Sequence, residues 1–341
     1  MQKKLYLTFL SVISAIAVVM LHTNGCFWSF SYERYWFTAN LIESVMYFAV
    51  PVFFMITGAT LLDYSDKYST KVYFMKRFKK TVIPFVLWSF IGFLYLIYSN
   101  SLSLNEYSLR LFIEKFINCG FVNIYWFFIP LFAVYLTIPI LSSIDKEKRL
   151  NTYSYLVLVC LMFNYLLPFL CKLFNINYNI NMQLGIGSGY IMYICIGYIF
   201  DNINLEKYKR ILIYILGIIG FLFVFVGTYI LSIKSGTIVS TFKGYQNLPC
   251  LLYSISIFLM IKNISVNIKN DKIIHFMNWL SKYTFSLYLT HWFIIRIIIN
   301  IFSINTLSIV YRIFAPFLIL IINIFITYFV RKVPLGKILL P

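Results

Sequence analysis

Charge is what this chain has least of: 12% of its 341 residues are charged, against about 25% in a soluble domain, while 61% are hydrophobic and 20% aromatic. A hydrated globular surface cannot be assembled from that composition, so a freely soluble protein is excluded. Long polar stretches are also missing. The three longest, 63–81, 100–120 and 232–247, run to roughly 15 to 20 residues each, too few to bury a core of their own. One membrane domain over 1–341 is the expectation.

The six cysteines, Cys26, Cys119, Cys160, Cys171, Cys195 and Cys250, form no CxxC pair and no cluster with histidine, so no metal site is expected and small core residues are the default. Four of them, Cys26, Cys119, Cys171 and Cys250, fall near the outer face, where no spacing argues for a disulfide. Internal repeats are absent from the sequence. Inverted repeats can escape detection at that level, so this absence leaves transporters open.

What is present in quantity is apolar sequence in long runs. A spanning helix needs about 20 mostly apolar residues, because the hydrocarbon core is about 30 Å thick and each helical residue rises about 1.5 Å. Ten segments qualify: 5–23, 41–62, 82–99, 121–142, 153–171, 185–200, 211–231, 248–262, 279–301 and 308–330. The sixth and eighth are the shortest. The runs are continuous and rich in Ile, Leu, Phe and Val, not alternating as in a barrel strand. The predicted fold class is therefore all-α, a polytopic membrane helix bundle of about ten transmembrane helices.

Orientation follows from the basic residues, which accumulate in cytoplasmic loops. With the N-terminus inside, 21 of the 29 Lys and Arg residues fall on the cytoplasmic side, among them Lys3, Lys4, Lys76, Arg77, Lys79, Lys80, Lys146, Arg149, Lys282 and Arg331. N-in and C-in is the expected topology. The formal charge of +18 is spread over short loops and does not form one continuous face, so it reads as topogenic charge beside anionic lipid, with no nucleic-acid partner. Met1-Gln-Lys-Lys before a hydrophobic run imitates a signal peptide. Its length and the missing small-x-small site make it a retained span.

Ionisable groups at membrane depth are costly and so are functional candidates. His22 closes the first span, about 25 Å from its inner edge at the helical rise. Glu43 lies near the start of the second span, at nearly the same depth. A carboxylate bonded to one imidazole nitrogen would orient the ring and leave the other to take a proton from a hydroxyl. The competing reading leaves His22 at the interface and Glu43 as a cap. His291 lies two thirds of the way out along the ninth span, with Arg296 five residues on; a histidine satisfied by backbone is the commoner case. His275 falls in an inner loop.

The 63–81 loop ends in the cluster Lys76, Arg77, Lys79 and Lys80, just before a span with Pro84 in its first turn. An ordinary cytoplasmic anchor and a dock for a phosphorylated donor both fit. Aromatic residues gather on the outer side, at Phe27, Trp28, Tyr32, Tyr35, Trp36 and Phe37 and again at Tyr125, Trp126, Phe127 and Phe128. An interfacial belt accounts for most, and some, Trp126 among them, could carry stacked sugar rings.

In this order, several segments resemble the bacterial acyltransferase-3 family of membrane proteins over nearly the whole chain. They are Ile13-Ser-Ala-Ile-Ala-Val-Val-Met-Leu-His22, Val50-Pro-Val-Phe-Phe-Met-Ile-Thr-Gly58, Arg77-Phe-Lys-Lys80, Tyr125-Trp-Phe-Phe-Ile-Pro130 and Tyr288-Leu-Thr-His291. The resemblance implies a multi-pass protein of the bacterial cytoplasmic membrane that moves an acyl group, usually acetyl, from cytosolic acyl-CoA to an extracytoplasmic polysaccharide or lipid-linked glycan. It implies catalysis by His22 with Glu43, donor binding by Arg77 and Lys80, and support from His291, Trp126 and Arg296. Acyl-CoA enters as donor substrate and no cofactor stays bound.

Two positions depart from the family pattern. Ser11 stands where the family has an arginine eleven residues before the histidine, and Lys80 replaces an arginine, keeping charge but losing a planar fork. Ser11 keeps a catalytically silent member open, and a transporter or exporter of an envelope glycan or small polar solute is the other alternative. A nucleotide held at Arg77 and Lys80 would leave a pantetheine arm of roughly 20 Å to bring its thioester toward His22.

Overall fold

The computed structural model describes residues 4–99, 101, 108–186 and 189–341. Lys3, most of the 100–107 stretch and residues 187–188 of the sixth expected span lie outside them. Among the described residues all regular structure is helical. Nine helices are long and apolar enough to cross a membrane: α1 Leu5–Thr23, α2 Arg34–Leu61, α3 Thr70–Tyr98, α4 Asn123–Ser142, α5 Lys146–Leu173, α7 Lys207–Ser235, α8 Leu248–Val266, α9 Asp271–Phe302 and α10 Ile309–Val330. The shorter α6, Ile191–Asn202, completes ten. Each falls on one of the ten expected spans.

Helices α2, α3, α5 and α9 start well before the apolar runs that announce them. The α3 helix starts at Thr70, where 63–81 was expected to be loop, because the Ser69 side chain accepts from the Val72 amide and caps an amphipathic extra segment. The basic cluster therefore sits on a helix. Pro84 lies in the first turn of the α-helical segment Ile83–Tyr98, as expected, but that segment continues α3 without a break from a π-helical turn, Phe78–Val82, whose wider bonding pattern accommodates the missing N–H. The α9 helix begins at Asp271 behind the Asn270 cap, so His275 is helical and not in a loop. The α2 helix begins at Arg34, which puts Glu43 more than two turns inside it instead of near its start.

The first helix is the axis of the bundle. Most of its length is buried, where α5 is largely exposed, so α1 is surrounded by α2, α8, α9 and α10 while α5 faces lipid. Between helices in lipid no hydrophobic force acts, so close approach of backbones supplies the packing. The α2 and α6 helices do this reciprocally: a Cβ on Gly58 would run into the Ile194 carbonyl, and one on Gly197 into the Met55 carbonyl.

Polar clasps tie the bundle at the Arg77 end. Arg149, buried, reaches Asp63 at 2.9 Å and Asp66 at 3.0 Å, and its hydrogen bond holds the Asp66 carboxyl below the usual carboxylate range. Lys4 pairs with Asp201 at 2.6 Å. At the opposite end Arg312, also buried, binds Asn24, Tyr35 and Thr38 and pins the α1–α2 connection to α10. All six cysteines are free thiols.

Candidate functional site

Two cavities enter the bundle from opposite ends. The larger, about 550 Å³, is lined by His22, Glu43, Trp126, Tyr245, Trp292 and Arg296 among others. The smaller, about 370 Å³, is lined by Ser11, Arg77, Lys80, Tyr135 and Thr284. Phe53 from α2, Phe127 from α4 and Tyr288 from α9 line both cavities, so these three side chains form the partition between them. Six of the seven residues singled out from the sequence line one cavity or the other, and the seventh, His291, packs its ring against His22.

His22 is half-buried at the last turn of α1. Its ring neighbour is His291 on α9, with centroids 5.2 Å apart and planes tilted by 36°. The Nδ1 atom of His291 lies 2.8 Å from the Leu287 carbonyl. A carbonyl only accepts, so Nδ1 carries the hydrogen and Nε2 a lone pair. That Nε2 is buried with no partner. The backbone-satisfied histidine expected from sequence is thus half right: one nitrogen is satisfied and the other is free.

Glu43 does not make the expected hydrogen bond to His22. Its Oε1 accepts from Lys243 at 2.8 Å, and both side chains are under 5% exposed. The carboxylate is buried within the bundle, and there it needs a counter-charge. Lys243 supplies it from the segment between α7 and α8, boxed by the rings of Phe27, Trp28 and Tyr47 at 4.0 to 4.6 Å. Burial draws the Lys243 ammonium below the ordinary lysine range, and Glu43 beside it counters the shift. The second oxygen of Glu43, Oε2, is buried without a partner.

The same segment brings in Tyr245. Its ring stacks on Tyr47 at 4.4 Å and 12° and on Trp126 at 5.8 Å and 17°. Its carbonyl accepts from the Tyr193 hydroxyl. Residues 123–127 are fixed to α9 by three bonds: Tyr125 to the Leu289 carbonyl at 2.6 Å, Tyr288 to the Ile124 carbonyl at 2.7 Å, and Trp292 Nε1 to Asn123 Oδ1 at 3.1 Å. Lys243 and Tyr245 escape a sequence reading. Their one signal is a lone cation flanked by aromatics, Phe242 and Tyr245, in a short connection between two spans.

In the smaller cavity Arg77 lies over the Tyr135 ring, with Cζ 5.6 Å from its centroid. Its Nε is buried with no partner. Ser11 reaches Thr284 at 3.3 Å between the hydroxyl oxygens and shares the cavity wall with Arg77 and Lys80. Four residues of α1, α3 and α9 that are distant in sequence thus surround one basic chamber. Among the described residues no group of three His, Cys, Asp or Glu side chains could hold a metal ion.

An imidazole in one chamber and, in the other, cations without an ion-pair partner among the described residues suit transfer of a group between them. A family model described as an acyltransferase domain matches residues 4–330. No curated protein and no solved structure matches the chain.

Proposed function

The chain belongs to that family of acyltransferases, and on this premise we propose that it moves an acyl group, acetyl by preference, from cytosolic acyl-CoA to a hydroxyl of an extracytoplasmic glycan. The observation that carries the reading is the pair of cavities meeting at Phe53, Phe127 and Tyr288, with His22 on one side and Arg77 and Lys80 on the other. The Arg77 end faces the cytosol and the His22 end faces outward in the bacterial cytoplasmic membrane, in keeping with the bias of basic residues.

The phosphates of acyl-CoA lie against Arg77 and Lys80, where charge-assisted hydrogen bonds are strong. Its pantetheine arm points to the partition and brings the thioester to the edge of the larger chamber. His22 takes the proton of the acceptor hydroxyl, and the oxygen attacks the thioester carbonyl carbon. The C–S bond breaks, the new ester leaves with the glycan, and the thiolate takes the proton back from His22. No covalent enzyme intermediate is needed. The Tyr47, Tyr245 and Trp126 stack offers an apolar face to the sugar.

Transport of an envelope glycan is the second reading, favoured by the same two end-facing cavities, and a silent member of the fold the third, favoured by Ser11. One experiment separates them. Protein in lipid nanodiscs with labelled acetyl-CoA and candidate glycans should yield a base-labile labelled ester, and His22→Ala, inserted normally, should yield none. Retained transfer in His22→Ala would remove His22 from the chemistry, and no label on any glycan would favour the other two readings.

A further inference from the structure

The buried cations, and the half-buried Lys262, are all spoken for among the described residues. Lys243 pairs with Glu43, Arg149 with Asp63 and Asp66, Arg312 with Asn24 and Thr38, and Lys262 with the carbonyls of Phe200 and Ile203. Arg296 differs. It lines the larger cavity at its exposed mouth, and among the described residues it makes no hydrogen bond and no ion pair. Arg77 is its counterpart in the smaller cavity.

Arg296 is nevertheless held. Its guanidinium carbon lies 4.2 Å from the centre of the Trp292 ring, and the Trp292 indole is itself fixed by Asn123 at 3.1 Å and by edge packing on Phe293 and Tyr95. A guanidinium resting on an aromatic face keeps its N–H edges clear for a planar bidentate partner. A snorkelling arginine at a helix end would account for the charge, but not for its seat on a fixed indole in the wall of the His22 chamber. The carboxylate of that chamber, Glu43, is already matched by Lys243 and leaves the Arg296 charge uncompensated.

We infer that the acceptor is anionic, and that Arg296 binds a carboxylate or phosphate carried on the sugar beside the hydroxyl that is acylated. The inference rests on the acyl-transfer reading and adds the class of acceptor. Arg296 is a binding residue, and the fork geometry favours a two-oxygen anion over a lone charge.

Three matched oligosaccharides test it in nanodiscs: one containing glucuronate, its carboxyl-reduced neutral counterpart, and the neutral chain bearing a phosphate monoester. The wild type should acylate at least one anionic chain with kcat/KM about tenfold above the neutral one, the scale of one charge-assisted contact, and which chain wins identifies the anion. Arg296→Gln should abolish the preference through KM with little change in kcat, and Arg296→Lys should keep part of it. Equal use of all three by the wild type, or an equal loss on all three in Arg296→Gln, overturns the inference. If nothing is acylated, the transfer reading fails separately, and equilibrium binding of the same three chains to wild type and Arg296→Gln still decides the anion site.

Discussion

The imidazole rings of His22 and His291 stand 5.2 Å apart on adjacent helices, and the nearer helix partner holds its own tautomer by bonding the Leu287 carbonyl. In the proposed reaction, the free lone pair on His291 Nε2 would accept a hydrogen bond from His22 once His22 has taken a proton, stabilising the imidazolium at the moment it forms. His291→Phe keeps a ring in the space and removes that acceptor. Initial rates should show kcat down about 100-fold, within the range of general-base effects, with KM for acyl-CoA unchanged. An unaltered kcat would leave His291 with a packing role only.

Glu43 and Lys243 should be coupled in stability. Removing one member of a buried ion pair strands the other and costs about 3 to 5 kcal/mol, while replacing both by apolar groups costs far less. Glu43→Leu and Lys243→Met should therefore each lower the apparent Tm of the purified protein sharply, and the double variant should recover more than half the loss. Additive losses would show that the two charges do not depend on one another.

The wall position of Ser11 gives a prediction of gain. An arginine there would enter the chamber that already holds Arg77 and Lys80 and add a donor toward phosphate. Calorimetric titration should find acyl-CoA bound about tenfold more tightly by Ser11→Arg, and about tenfold more weakly by Arg77→Gln. The effect should shrink at high salt. Unchanged affinity in Ser11→Arg, with the Arg77→Gln loss intact, would take Ser11 out of the donor site.

The spans were legible because lipid imposes a length and a composition on every helix, and α1 and α10 differ from expectation by one residue at most. Helix starts were less legible. At Thr70 and Asp271 a side-chain cap sustains polar helix beyond the apolar run, and no hydropathy signal marks it. His22 could be found because ionisable groups inside spans are rare. His291 could be found on the same ground, but not its contact with His22 across 269 positions, and the Glu43 partner is 200 positions away in what reads as an ordinary outer connection. The burial of Glu43 makes a counter-charge necessary, but nothing local in the sequence says which distant cation supplies it.

The interlock of Gly58 with Ile194 and Gly197 with Met55 has a mechanical consequence. Two helices joined carbonyl to glycine at consecutive turns cannot slide or roll past one another, so α2 and α6 act as a single stiff beam. Phe53 is mounted on that beam. The opposite jamb, Phe127 on the 3-10 turn Asn123–Phe127, is tied to α9 by three hydrogen bonds, so a passage between the two chambers opens by rotation of the partition side chains while the frame around them keeps its alignment with His22.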